Sequence, residues 1–308
     1  LNLIMRLILF ITFILLLSCS NNSENLKNNE NSSSEPISSD LNQTLNHSGQ
    51  NRSYILFIPD SYVDSIKYPI LMNFHGGGGD AQSQLYTSDM RSLANAENFI
   101  LVYPNGSDNI ESGGRIWNTL LPSDFNKTDA DDFGFIAAII DDIDSNYNID
   151  ITRVYATGYS NGGGFAYSLA CYLSDKIAAV APVSGLMWDE AVEQCNPTHP
   201  TSIISFNGTS DFERPYNGMD YMSSVNEILD YWVEFNDADS IPTISSFQSS
   251  GLETEHYIYE SGLNNVSIEH YKFINGGHDW FEMDNSGLNI DQIIWNFVSK
   301  YDLDGLIE

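Results

Sequence analysis

The sequence predicts an α/β protein built on a mostly parallel central sheet with helices on both faces. Three observations carry this. From Arg52 onward, short runs of apolar, β-branched and aromatic residues alternate with longer helix-like segments. The strand-like runs lack clean alternation of apolar and polar residues, so both of their faces are buried, as in a sheet covered by helices. Glycine clusters follow two of them, at Gly76-Gly77-Gly78-Gly79 and around Gly158 and Gly162.

The elements follow in order. Tyr-Ile-Leu-Phe-Ile at 54–58 reads as a strand, as do 68–74 and 99–103. Residues 83–97 and 132–147 read as helices. A strand at 153–157 is followed by a helix at 162–173. Strands at 178–183 and 202–207 precede a helix at 223–235. Strands at 256–259 and 266–273 and a helix at 288–301 close the chain. In such folds chemistry gathers at the carboxyl ends of the strands.

Composition bounds the rest. The 308 residues carry 12 Lys+Arg against 42 Asp+Glu, a formal net charge of −30. A hydrophobic fraction of 42% rules out wholesale disorder. The acidity rules out nucleic acid and anionic lipid surfaces as partners, because like charges repel. Only 18% of residues are charged, so the acidity reflects scarce base, and its simplest role is solubility.

The first residues read as an address. Met5-Arg6 precedes a hydrophobic run at 7–17, too short to span a bilayer but suited to a secretory signal. Leu16-Leu17-Ser18-Cys19 resembles a bacterial lipobox, which implies cleavage after 18 and a lipid on Cys19. Residues 20–50 hold eight Ser and eight Asn, almost nothing to bury. The expected organisation is a lipoprotein signal over 1–18, a flexible tether over 19–46, and one domain over 47–308.

Gly158-Tyr159-Ser160-Asn161-Gly162 lies between a strand and a helix. This is G-x-S-x-G in the context that gives the motif meaning, an elbow that lifts the Ser160 hydroxyl to a helix N-terminus. Phe74-His75-Gly76-Gly77-Gly78-Gly79 follows another strand and leaves backbone N–H groups uncovered, as an oxyanion-binding loop needs. The donors are expected at Gly77 and Asn161, and His75 is expected to hold the loop in shape.

A serine needs a base oriented by a carboxylate. The order serine, acid, histidine places both after Ser160. His278 fits as base, in a glycine-rich loop after a late strand. His256 and His270 lie inside expected strands, and His199 precedes one. Asp211 follows the strand at 202–207 and is the expected acid, with Glu213 in reserve.

These residues carry a resemblance. HSGQNRSYILFIP, FHGGGG, the block DDFGFIAAIIDDIDSNYNIDITRVYATGYSNGGGFAYSLAC, NGTSD and GGHDW resemble the esterase family that contains polyhydroxybutyrate depolymerases and feruloyl esterases, within the α/β-hydrolase fold. The resemblance runs from about His47 to Tyr301. It implies Ser160 as nucleophile, Asp211 as acid, His278 as base, and Trp117 and Trp280 near the substrate. Asn207, Ile116 and Phe281-Glu282 depart from the family pattern, where His, Cys and Pro-Gly are usual; the departures fall on the pocket rim.

With Cys19 assigned to lipid, Cys171 and Cys195 remain, and two cysteines in an exported chain suggest a disulfide. No H-E-x-x-H or C-x-x-C points to a metal, and no cofactor is expected. The expected protein is an exported, lipid-anchored serine esterase of the bacterial cell envelope. Its expected partners are an ester of polysaccharide and the membrane, reached only through the lipid. A polyhydroxyalkanoate depolymerase, a serine peptidase of the same fold and a non-catalytic surface binder are the alternatives. Replacing Cys19 with Ser should move the protein from the membrane pellet to the soluble fraction; unchanged sedimentation would remove the anchor.

Overall fold

A computed structural model describes residues 41–109 and 113–308. The signal, Cys19 and most of the tether lie outside the described residues. The chain enters as a hairpin, β1 (Leu41–His47) and β2 (Gln50–Phe57). Its turn is Ser48-Gly49, both at positive φ, the geometry that matches strand twist. The sheet therefore starts before the boundary expected at 47, because Leu41 and Leu45 pack on the core while Asn42 and Thr44 between them face outward.

Next come β3 (Tyr68–Phe74), α1 (Ala81–Thr87), α2 (Arg91–Glu97) and β4 (Ile100–Pro104). The single helix expected over 83–97 is broken at Ser88–Met90. The buried Tyr103 hydroxyl is the cause: it donates to Ser88 O (2.6 Å) and accepts from Met90 N (3.1 Å), so tertiary bonds replace helical ones. A small hairpin, β5 (Ser107–Asn109) and β6 (Gly114–Ile116), leads to α3 (Asp132–Asn146). The Asp131 side chain caps α3 by accepting from Gly134 N.

Then follow β7 (Ile149–Tyr159), α4 (Asn161–Tyr172), β8 (Ala179–Val183), α5 (Asp189–Gln194), β9 (Ser202–Gly208) and α6 (Val225–Phe235). The hairpin β10 (Thr243–Ser249) and β11 (Leu252–Tyr259), β12 (Ile268–Phe273) and α7 (Ile290–Val298) complete the main layers. A short ribbon, β13 (Tyr301–Asp302) and β14 (Gly305–Leu306), ends the chain.

Ten strands form one sheet in the order β1-β2-β4-β3-β7-β8-β9-β12-β11-β10. The six from β4 to β12 are parallel, and the outer pairs are antiparallel. Strand β3 is buried throughout, with Ile70, Met72 and Phe74 in the core on one face and Leu71 in that on the other. After β4 the chain returns to the far side of β3 to build β7, so the order reverses between β3 and β7. Loops at such a switch point diverge and leave a crevice.

Arg52 ties the site side of the fold together. Its guanidinium is buried, donates to Asp132 Oδ1 (2.7 Å) and Asn105 O (3.0 Å), and lies 4.2 Å from the centre of the Phe135 ring. The other Asp132 oxygen accepts from Asn118 N (2.8 Å). Burial raises the Asp132 pKa, opposed chiefly by the Arg52 charge. Cys171 in α4 is bonded to Cys195 after α5. Asp132→Ala strands the Arg52 charge, and chemical denaturation should show a loss of about 3–5 kcal/mol; a loss within ordinary surface scatter would deny the pair this role.

Candidate active site

The site is built where β3 and β7 part. Ser160 stands between β7 and α4 at φ 54°, a left-handed conformation that costs free energy for a residue with a Cβ. Its N–H donates to Val183 O at the end of β8 (2.9 Å). Gly162 has no substitute here: a Cβ would collide with the Phe74 and His75 carbonyl oxygens. Helix α4 can therefore start against the end of β3.

Three side chains join in a hydrogen-bonded line. Ser160 Oγ lies 2.8 Å from His278 Nε2, and His278 Nδ1 lies 2.7 Å from Asp211 Oδ2. The Asp211 carboxylate is fully buried, and its other oxygen accepts from Glu213 N and Arg214 N, both at 2.8 Å. Glu213 thus supplies a backbone donor to Asp211, and the structure places Asp211 on the imidazole. Tyr159 donates its hydroxyl to His278 O (2.7 Å). Burial pushes the Tyr159 phenol up to about 12, so it remains a donor at neutral pH.

The glycine loop faces the elbow. A Cβ on Gly77 would lie 3.7 Å from Asn161 Cβ, an ordinary contact. Among the described residues, the N–H groups of Gly77 and Asn161 have no acceptor. His75 anchors this loop from inside: Nδ1–H donates to Gly76 O (2.7 Å) and Nε2 accepts from Gly106 N (2.9 Å). Those partners specify a neutral ring, and burial lowers the His75 pKa to about 4.

Trp117 lies in the core behind the glycine loop. Its ring is 2% exposed and stacks on Phe165. Its indole N–H donates to His75 O (3.1 Å), its backbone N donates to Asn161 Oδ1 (2.8 Å), and its carbonyl accepts from Asn161 Nδ2 (3.1 Å). Trp117 fixes the loop against the elbow from the core. The family resemblance implies a place near the substrate for Trp117; the sequence around it gives no cue to this brace. Trp280 is half-buried, donates to Asp291 Oδ1 (3.1 Å), and lines a cavity of about 540 Å³ with Tyr159 and Asp279. Among the other histidines, His256 pairs with Glu269, and His199 lies 2.8 Å from Ser174 O. His270 is enclosed between Ser205 and Tyr216.

Known proteins are similar to this chain. Residues 52–199 match the family described as Esterase PHB depolymerase. A bifunctional acetylxylan esterase/xylanase of Neocallimastix patriciarum is 27% identical over 86% of this chain and 36% of its own length. Feruloyl esterase B of Piromyces equi is 28% identical over 82% of this chain and 46% of its own length. These matches support a polyhydroxybutyrate depolymerase and feruloyl esterase-like family for the chain. The chain spans less than half the length of those two relatives. Among solved structures, acetyl xylan esterase from Aspergillus awamori superposes with a TM-score of 0.60 at 16% identity, covering 84% of this chain and 99% of that one. The likeness establishes the α/β-hydrolase fold of this chain.

The buried imidazoles set a pH dependence. His75 and His270 are held neutral, at about 4 and about 3, against an ordinary value of 6.5, burial being the main cause in both. Below 6.5 the unfolded chain binds more protons than the folded one, so stability is full above that pH and falls as acid is added. Each ring contributes a slope of up to about 1.4 kcal/mol per pH unit. His270→Gln should flatten the fall in unfolding free energy between pH 6.5 and 4; an unchanged slope would contradict the assignment.

Proposed function

We propose that this chain is an exported serine carboxylic-ester hydrolase that removes acyl groups of feruloyl or acetyl type from polysaccharide or small aromatic esters. The observation that carries this reading is the line Ser160–His278–Asp211 on an elbow facing two backbone donors that have no acceptor among the described residues. The names of the two relatives above and the family match support the ester class.

The chemistry follows from the geometry. His278 Nε2 takes the Ser160 proton as Oγ attacks the acyl carbon. Asp211 orients the imidazole and balances its transient charge. The carbonyl π electrons move onto oxygen, which receives the N–H groups of Gly77 and Asn161, each donor contributing roughly 3–4 kcal/mol at the transition state. Collapse breaks the bond to the alcohol, which leaves with the proton from His278. Water, deprotonated by His278, attacks the acyl-enzyme; the acid departs and the proton returns to Ser160.

The N-terminal address completes the proposal: the leader over 1–18 is removed, and a lipid on Cys19 holds the domain over a Ser/Asn-rich tether at the cell envelope. The Cys171–Cys195 bond suits an oxidising compartment.

Hydrolysis of p-nitrophenyl acetate should fall by at least about a thousandfold in Ser160→Ala. A wild-type chain inert towards esters and towards a fluorophosphonate probe would overturn the proposal. A screen of methyl ferulate, acetylated xylan, polyhydroxybutyrate and a peptide substrate orders the substrate classes, with the first two expected to lead.

A further inference from the structure

Three loops at the carboxyl edge of the sheet meet in a run of aromatic rings. Phe125 and Trp188 have centroids 5.3 Å apart, and Trp188 and Tyr221 stack at 4.9 Å with planes 25° apart. Phe125 is 49% exposed and Tyr221 44%, while half-buried Trp188 packs against the core between them. Surface aromatics are scattered singly in most proteins; three in register on separate loops mark a contact surface.

The rings are held in place before anything binds. Ser123 Oγ donates to Glu190 (2.8 Å), joining the Phe125 loop to α5. Asp189 N donates to Tyr221 O (3.2 Å), Ser223 Oγ donates to Asp189 (2.7 Å), and Ser223 N donates to Met187 O (3.1 Å). Each loop also carries part of the site. The first begins at Trp117, which braces Asn161. The second follows Val183, whose carbonyl holds Ser160 N. The third begins just before Asp211, which holds His278. A cavity of about 820 Å³ lies beside Phe125 and is lined among others by Leu120, Glu190 and Asn118, the residue next to Trp117.

We infer that Phe125, Trp188 and Tyr221 form a stacking platform for the neutral pyranose backbone of a polysaccharide whose ester reaches Ser160. This rests on the esterase reading and names the part of the substrate that the triad does not touch. A pyranose offers a face of C–H bonds to the electron-rich faces of aromatic rings. Its hydroxyls donate, and the surroundings are rich in acceptors: Asp124, Asp129 and Glu190 line the cavity, and Asp189 and Asp220 flank Trp188 and Tyr221. The same carboxylates repel a uronate-bearing chain, which fixes the choice of a neutral one.

The test separates binding from turnover. In affinity electrophoresis, Ser160→Ala should be retarded by deacetylated neutral xylan and less by polygalacturonate. The added pair Phe125→Ala and Tyr221→Leu should abolish the retardation, whereas Tyr221→Phe should preserve it; melting temperatures report whether each variant folds. On the active enzyme, the pair should lower the ratio of kcat/KM for acetylated xylan to that for p-nitrophenyl acetate by about tenfold. Unchanged retardation, an unchanged ratio, or stronger retardation by polygalacturonate would overturn the platform. Should the wild type cleave no ester, the esterase reading falls, and the retardation result still judges the platform.

Discussion

The close approach of α4 to the end of β3 is the constraint on which the site depends. Without a side chain at Gly162, the helix start touches the carbonyls of Phe74 and His75. That contact sets how far the glycine loop stands from the elbow, and it holds Ser160 in a conformation that an isolated peptide would leave. The strain is local and is borne by a stiff frame: β3 and β7 are adjacent parallel strands buried on both sides.

Around this contact lies a buried polar network in which each member fixes the next. Arg52 holds Asp132, and Asp132 holds Asn118. The neighbouring Trp117 holds both the side chain of Asn161 and the carbonyl of His75. His75 in turn holds Gly106 and its own loop. Buried groups of this kind are costly when unpaired, so satisfied networks favour one arrangement over near alternatives. Asp211 and His278 are secured in a different way, by backbone donors to Asp211 and by the Tyr159 hydroxyl on the carbonyl of His278. The two halves of the site meet only at the elbow.

Much of this was legible in the sequence. The central strands announce themselves because burial on both faces leaves long apolar runs, and Ser160, Asp211 and His278 lie in loops after such runs. What escaped depends on partners distant in the chain. The break at Ser88 comes from the hydroxyl of Tyr103, which no local pattern reveals. Edge strand β10 is mostly exposed and polar, and is set by the hairpin turn at Ser250-Gly251, both at positive φ. The Ser48-Gly49 turn was a comparable cue for β1, masked by the polar composition around it. The identity of Trp117 is visible in the sequence, and the direction of its indole, into the core towards His75 O, is not. The aromatic platform required three loops to be folded before its rings could be neighbours.

The brace at Trp117 has a consequence for how the chain tolerates sequence change. The proposed oxyanion donors are main-chain N–H groups, which every amino acid except proline supplies. Substituting Gly77 or Asn161 by any residue other than proline therefore leaves the chemical groups in place and alters only their aim. The vulnerability passes to a buried indole in the core. Variants that lose turnover while keeping the whole visible site intact are thus to be sought at 117, and a library confined to the pocket surface would miss the residue that keeps the pocket in register.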